Sequence, residues 1–156
     1  MKAVLSKEVG GPETLVVEEL ESPTPGKGEV LIDVAACAIN FPDSLIIKDM
    51  YQMKPPRPFS PGGEISGTIA ALGEGVSGWQ VGDRVIAGTG AGGLREQVVL
   101  SAARLFKVPE GIDLVQASAL LMDHPNAHLW LFGSWARGDW DAFSDVDLLA
   151  IAPSRG

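Results

Sequence analysis

The run Pro58-Phe59-Ser60-Pro61-Gly62-Gly63-Glu64-Ile65-Ser66-Gly67-Thr68-Ile69-Ala70-Ala71-Leu72-Gly73, closed by Val81-Gly82-Asp83-Arg84-Val85, constrains the fold of this chain more than any other stretch. Proline fixes φ and excludes helix, so the backbone enters extended. Gly62 and Gly63 permit a tight bend before Glu64. A β-branched run then makes a strand, in which Gly67 lets another element approach the backbone closely. The chain turns between Gly73 and Gly78, and again at Gly82-Asp83 into Asp83-Arg84-Val85-Ile86-Ala87. The chain holds 19 glycines and 11 prolines, which extends this alternation of turns and short strands over its length.

In chain order, Lys2 to Ser6 and Thr14 to Glu19 read as a strand pair around Gly10-Gly11-Pro12-Glu13. Ser22 to Gly28 is a long turn, and Glu29 to Ala36 a strand. Asn40 is a good helix N-cap with Pro42 and Asp43 in the first turn, so a short helix is expected over Pro42 to Lys48. Lys54 to Pro61 is extended. Leu94 to Leu100 and Arg104 to Val108 are strands, and Asp113 caps a helix over Leu114 to about Met122.

A net charge of −8 with no Lys/Arg run argues against a nucleic-acid partner. The lone Cys37 excludes an internal disulfide and a multi-cysteine zinc site; its expected role is that of a small core residue. No apolar run reaches membrane-spanning length, and the start is too short in apolar residues for a signal peptide. The expectation is a cytoplasmic protein without a membrane partner. His124 and His128 lie i, i+4, but Pro125 breaks any helix between them, which removes a metal pair.

The order of turns and strands across residues 1 to about 121 resembles the N-terminal substrate domain of the medium-chain dehydrogenases/reductases, a GroES-like β-barrel. The zinc enzymes of that family carry a Cys-His pair where Ala35-Ala36-Cys37-Ala38-Ile39-Asn40-Phe41-Pro42-Asp43 has Asn40 and Phe41, and Gly-His-Glu where this chain has Gly62-Gly63-Glu64. Zinc needs about three ligands from His, Cys or carboxylate, and an amide and a glycine supply none. The resemblance is therefore to the zinc-free branch, the NADPH-dependent quinone reductases. It implies Asn40 and Asp43 as catalytic residues beside the nicotinamide, Asn40 and Glu64 as cofactor-binding residues, and a quinone or other carbonyl compound as substrate. Asn40 is equally a plain N-cap, and the two roles coexist. For Glu64 the other reading is a carboxylate bonded to backbone N–H groups of the glycine turn. A tyrosine often found two residues past that aspartate is Leu45 here, so no proton donor is implied at that place.

Gly73-Glu74-Gly75-Val76-Ser77-Gly78 and Gly88-Thr89-Gly90-Ala91-Gly92-Gly93 both match G-x-G-x-x-G. The dinucleotide fingerprint also requires a strand before, a helix after and an acidic residue about 20 positions on. The first match runs into Trp79-Gln80-Val81-Gly82-Asp83, too short for a helix. The second precedes a segment whose Val98-Val99 favours strand. Both are expected to be loops. Family members continue into a Rossmann domain; these residues hold no such pattern, so tight NADPH binding and quinone reduction are not expected of this chain alone.

Past about Leu121 the pattern changes. Leu129-Trp130-Leu131-Phe132-Gly133-Ser134-Trp135-Ala136-Arg137-Gly138-Asp139 and Ser144-Asp145-Val146-Asp147-Leu148-Leu149-Ala150-Ile151 resemble the polymerase-β-like minimal nucleotidyltransferases, with their strand, Gly-Ser, turn and Asp-x-Asp. Residues i and i+2 of a strand share a face, so Asp145 and Asp147 form a magnesium pair, with Gly133 and Ser134 on the phosphates, in this alternative reading. The plainer reading of the two aspartates is a turn cap and an exposed strand position.

The resulting expectation is a mainly β chain: a GroES-like, partly open β-barrel with two short helices over residues 1–121, then a strand-turn-strand segment over 122–156. The sequence reads as a junction of two unrelated fragments, joined between about Leu121 and Asn126, whose other functional alternative is a folded chimera without catalysis. Open sheet edges make a homo-oligomer an option. The tail runs His128 to Phe132 and Val146 to Ile151 are expected to add to the barrel edge or cover its apolar face. That would bury Trp130, Leu131, Phe132, Leu148, Leu149 and Ile151, and removal of residues after Met122 would then lower stability.

Overall fold

The computed structural model describes residues 1–118 and the backbone of residues 128–132 and 147–151. The chain divides into two compact units, Met1–Leu121 and Met122–Gly156.

The first unit is built on a five-stranded antiparallel sheet. Its strands are β3 (Glu29–Ala38), β4 (Glu64–Leu72), β5 (Arg84–Gly88), β6 (Gln97–Ser101) and β7 (Leu105–Lys107), in the order β6-β3-β4-β5-β7. A smaller sheet pairs β1 (Lys2–Leu5) with β2 (Val16–Glu19). The two sheets meet where Val4 N–H donates to the Leu94 carbonyl at 2.9 Å and Ala3 bridges Arg95. The core forms because β3, β5 and β6 alternate apolar residues inward. Val30, Ile32, Val85, Ala87, Val98 and Leu100 are buried there together with Ile65, Ile69 and Leu105.

β4 is the central strand, and Ile65, Ser66 and Gly67 are buried in succession. One reason is α2 (Leu114–Ala117), whose Leu114 carbonyl accepts from the Ser66 hydroxyl. A Cβ at Gly67 would stand 2.2 Å from the Asp33 carbonyl oxygen, so the close approach expected at this glycine is real, and β3 is the element that makes it. The approach lies beside irregularities in the β3–β4 register at Leu31/Ile32 and Val34/Ala36.

Several boundaries differ from expectation. Pro12–Thr14 form a 3-10 turn, held by Thr14 N–H and Oγ1 on the Gly11 carbonyl at 3.0 and 2.9 Å, so β2 begins at Val16 and not at Thr14. The first helix, α1, spans Phe41–Ile46. Asp49 adopts a left-handed φ of 55° and ends any continuation. β3 runs on to Ala38 because β4 pairs with it that far. Chain before Gln97 is diverted from β6 towards β1 by the Arg95 bridge. Asp113 does cap α2, its Oδ1 accepting from Val115 and Gln116 N–H at 2.8 and 3.0 Å; the expected end of that helix near Met122 lies outside the described residues.

In the second unit, β8 (His128–Phe132) pairs antiparallel with β9 (Asp147–Ile151). The two tail runs thus pair with each other. Closing a short connection costs less entropy than a remote pairing. The side chains of Trp130, Leu131, Phe132, Leu148, Leu149 and Ile151 lie outside the described residues, as do residues 133–146.

Candidate functional site

The site lies where α1 meets the glycine turn that opens β4. Asn40 is extended at φ −114° and ψ 162°, the geometry of an N-cap, and is exposed. Asp43, one turn on, is only 6% exposed. One of its oxygens, Oδ2, accepts from Asn40 N–H at 2.8 Å; the other, Oδ1, accepts from Gly62 N–H at 3.0 Å. The first bond is the carboxylate half of a capping box. The second reaches 19 residues along the chain and ties the helix start to the glycine turn. Both oxygens of Asp43 are therefore engaged by backbone donors.

Gly62 has φ +94°, and a Cβ there would stand 2.4 Å from the Cys37 sulfur. Cys37 is the packed residue expected of it, against the main core cluster. Its thiol is pushed up to about 11, first by burial, then by the negative charge of Asp43; a backbone hydrogen bond at Glu64 acts the other way, and the Glu64 charge adds a smaller upward push. This is an inert thiol at neutral pH. Glu64 stands half-buried at the head of β4.

The loop Gly88 to Gly93 wraps the same turn. Thr89 and Gly90 N–H donate to the Gly63 carbonyl at 2.8 and 3.3 Å, Gly93 N–H to Gly62 at 2.9 Å and Leu94 N–H to Pro61 at 2.9 Å. The Thr89 hydroxyl donates to the Gly62 carbonyl at 2.6 Å. A phosphate cradle needs such N–H groups free to face the ligand; these face the protein. All pairs within the five-stranded sheet are antiparallel, whereas the dinucleotide fingerprint sits in a parallel βαβ unit.

The outer rim of the site is apolar. Ile39, Phe41 and Met50 are 63%, 76% and 69% exposed. Leu45 is half-buried on α1. Among the described residues no three of His, Cys, Asp and Glu come together in a metal-binding group. The structure brings Asn40, Asp43 and the Gly62-Gly63-Glu64 turn together. Gly133, Ser134 and Asp145 lie outside the described residues; of Asp147 only the backbone, at the start of β9, is described.

Sequence reasoning missed two supports. In the sequence Thr89 is only a member of the second G-x-G-x-x-G match, and its place one residue past a strand is the sole local signal. Arg57 was taken only as extended chain. Its guanidinium donates to Asp49 at 2.8 Å, the Ile47 carbonyl at 2.9 Å and the Ser6 hydroxyl at 3.3 Å, and lies 5.3 Å from the Phe59 ring centroid. It thereby fixes the segment after α1 against Ile46, Ile47 and Phe59.

Comparison with known proteins agrees with this architecture. Residues 26–110 match the alcohol dehydrogenase GroES-like domain, and residues 116–155 match a nucleotidyltransferase domain. The rat synaptic vesicle membrane protein VAT-1 homolog is 39% identical over 110 residues, 70% of this chain and 27% of that protein. Human quinone oxidoreductase is 35% identical over 136 residues, 86% of this chain and 41% of its own. The structure of Escherichia coli quinone oxidoreductase complexed with NADPH superposes with a TM-score of 0.73 at 28% identity, covering 78% of this chain and 37% of the other. This chain thus spans 27% to 41% of the length of these relatives. No helix among the described residues is long and apolar enough to cross a membrane. Through its first unit the chain belongs to the alcohol dehydrogenase GroES-like family, as a quinone-oxidoreductase-like N-terminal domain of the medium-chain dehydrogenases/reductases.

Proposed function

We propose that the first unit is the substrate-side domain of a zinc-free reductase of quinones or related carbonyl compounds, and that it needs a separate NADPH-binding domain to act. The observation that carries this reading is the Asn40–Asp43–Gly62 arrangement: an exposed asparagine whose backbone N–H is held by a buried carboxylate that also accepts from Gly62 N–H. Asn40 is the residue that touches cofactor or substrate. Asp43 has both oxygens occupied and serves by holding Asn40 in place. NADPH, held by that separate domain, would supply the hydride. Glu64 borders the cofactor side, and the apolar rim of Ile39 and Phe41 suits a flat, weakly polar substrate. Zinc is replaced at its two ligand places by Asn40 and Gly63.

The reading has two direct tests. Metal analysis of purified protein after dialysis is expected to give no stoichiometric zinc; retained zinc overturns the zinc-free assignment. Titration by nicotinamide fluorescence is expected to show no tight NADPH binding and no quinone reduction. A low-micromolar dissociation constant, about −8 kcal/mol, would mean that this chain carries its own cofactor site.

A second reading attaches to the tail, supported by the nucleotidyltransferase match over residues 116–155 and the antiparallel β8–β9 pair. Gly133 and Ser134 would meet the phosphates of a nucleotide, and Asp145 and Asp147 its magnesium. Magnesium-dependent nucleotide binding, lost in Asp147→Asn, supports it; equal binding with and without magnesium removes it. Packing of the tail on the first unit, a cytoplasmic location and self-association belong to the proposal as well. So does a join of two unrelated fragments near Leu121 to Asn126, and the coding sequence across codons 118 to 128 would show whether it is natural.

A further inference from the structure

β3 outruns one of its neighbours. β6 pairs with Glu29 to Asp33, and the last bond on that side is Val34 N–H to the Glu96 carbonyl at 2.8 Å. From there the chain before β6 leaves to bridge β1 at Ala3. β4 continues to pair with Ala36, Cys37 and Ala38 on the opposite side. Along Ala35–Ala38 the other edge of β3 therefore has no ladder partner among the described residues. Unpaired strand backbone of this kind is a template for an added strand.

The space beside that edge is a cavity of about 270 Å³ between β1 and β3. Val17, Val34 and Leu94 line it, with the cations Lys2 and Arg95 and the anion Glu96. Arg95 is half-buried, and its Nε is buried without a hydrogen-bond partner. Among the described residues it joins no ion pair. The adjacent Glu96 carboxylate accepts from Lys2 N–H at 2.7 Å through Oε2 and forms no ion pair with Arg95 among the described residues. Burial also pulls the Arg95 guanidinium below its ordinary value. A buried donor left unmatched costs free energy that an acceptor would recover.

We propose that the β3 edge over Ala35–Ala38 is a docking site for an extended, acidic segment of a partner chain, whose backbone continues the sheet and whose carboxylate meets Arg95. The open edge selects a strand over a small carboxylate, since main-chain bonds give affinity and the side-chain pocket gives specificity in this mode. The buried, unmatched Nε of Arg95 selects an acidic one. A second copy of this chain is disfavoured, because isologous pairing of two β3 edges brings like cations together. The inference stands apart from the redox reading and does not need it.

The test uses the full chain and a capped hexapeptide of alternating valine and threonine with one central glutamate, followed by backbone amide resonances and hydrogen exchange. The peptide is expected to shift and protect Ala35–Ala38, and a lysine-for-glutamate peptide to bind about tenfold more weakly. Arg95→Met is expected to abolish the difference between the two peptides. The comparison on the unaltered protein stands even if that variant folds poorly. Three outcomes overturn the proposal: unmoved Ala35–Ala38 amides at about millimolar peptide, the concentration at which binding is worth only about −4 kcal/mol; equal binding of both peptides; or the same amides shifting with protein concentration alone, which would make a second copy the occupant.

Discussion

The turn at Gly62-Gly63 leads into β4, and the turn from Gly73 to Gly78 leads out of it. Both rest on glycine, and both hold positive φ, +94° at Gly62 and +78° at Gly78. Their surroundings differ. A Cβ at Gly62 meets the Cys37 sulfur at 2.4 Å and the Leu94 nitrogen at 3.0 Å, while one at Gly78 meets nothing within 4 Å. The first turn is a joint between α1, β3 and the 88–93 loop. At Gly78 the second only reverses the chain, whereas at its start a Cβ on Gly73 would stand 1.8 Å from the Gly26 carbonyl oxygen, so that end is packed against the 26–29 turn. A glycine in a functional joint is required by its neighbours as well as by its own backbone, and only the former makes the site rigid.

Substitution separates the two turns most directly. Gly62→Ala is expected to destabilise by about 3–4 kcal/mol, from a left-handed non-glycine residue plus an overpacked contact. Gly78→Ala is expected to cost about 1 kcal/mol from the backbone alone. Denaturant midpoints for the pair give the comparison, and equal losses would show that Cys37 yields freely.

The next effect in size concerns the carboxylate. Asp43→Ala removes the acceptor for the buried Gly62 N–H and for Asn40 N–H, with an expected loss of about 2–3 kcal/mol. Asp43→Asn keeps one acceptor oxygen and is expected to lose less. In amide spectra both variants move Asn40 and Gly62 together although they are far apart in sequence. Movement of only one would break the link between helix start and turn.

A double variant sharpens the reason for the first result. Cys37→Ala in the Gly62→Ala background removes the sulfur that the new Cβ strikes, so about 1–2 kcal/mol of coupling is expected. Strict additivity would place the whole cost in the backbone.

The smallest expected effect is a dependence on alkaline pH. The Cys37 thiol is raised from 9.0 to about 11 in the folded chain. The unfolded state then loses its proton first, so the stability from this neutral thiol is complete below about pH 9 and is lost as pH rises towards 11. Thiol alkylation at pH 8 is expected to be slow until denaturant is added, and Cys37→Ala is expected to flatten the alkaline slope. Rapid alkylation of the native chain would count against the packing described.

Much of the fold was legible because its signals are local. The glycine turns around β4, the Asn40 cap, the Asp113 cap and the strands of the first unit follow from backbone sterics and side-chain period over a few residues. The differences were at boundaries: the Thr14 hydroxyl helps close a 3-10 turn, and a backbone bridge from Arg95 to Ala3 diverts the chain towards β1. Both phosphate-like motifs read correctly as loops. Thr89 inside the second one was passed over, because its bond to Gly62 spans 27 residues and leaves no trace in spacing.

Sequence by itself determined that this is a glycine-punctuated β chain, that Asn40 and Asp43 have the spacing of a helix cap, and that its character changes near Leu121. These depend on residue identity and near neighbours. Tertiary structure decided that Asp43 is a double acceptor, that Cys37 is wedged against Gly62, that the Thr89, Gly90 and Gly93 N–H groups turn inward, and that, among the described residues, β3 has no partner along Ala35–Ala38 beside the buried Nε of Arg95. Each of these joins atoms distant along the chain. Such contacts are set by which strands pair and in what register, and a one-residue change of register would exchange every partner.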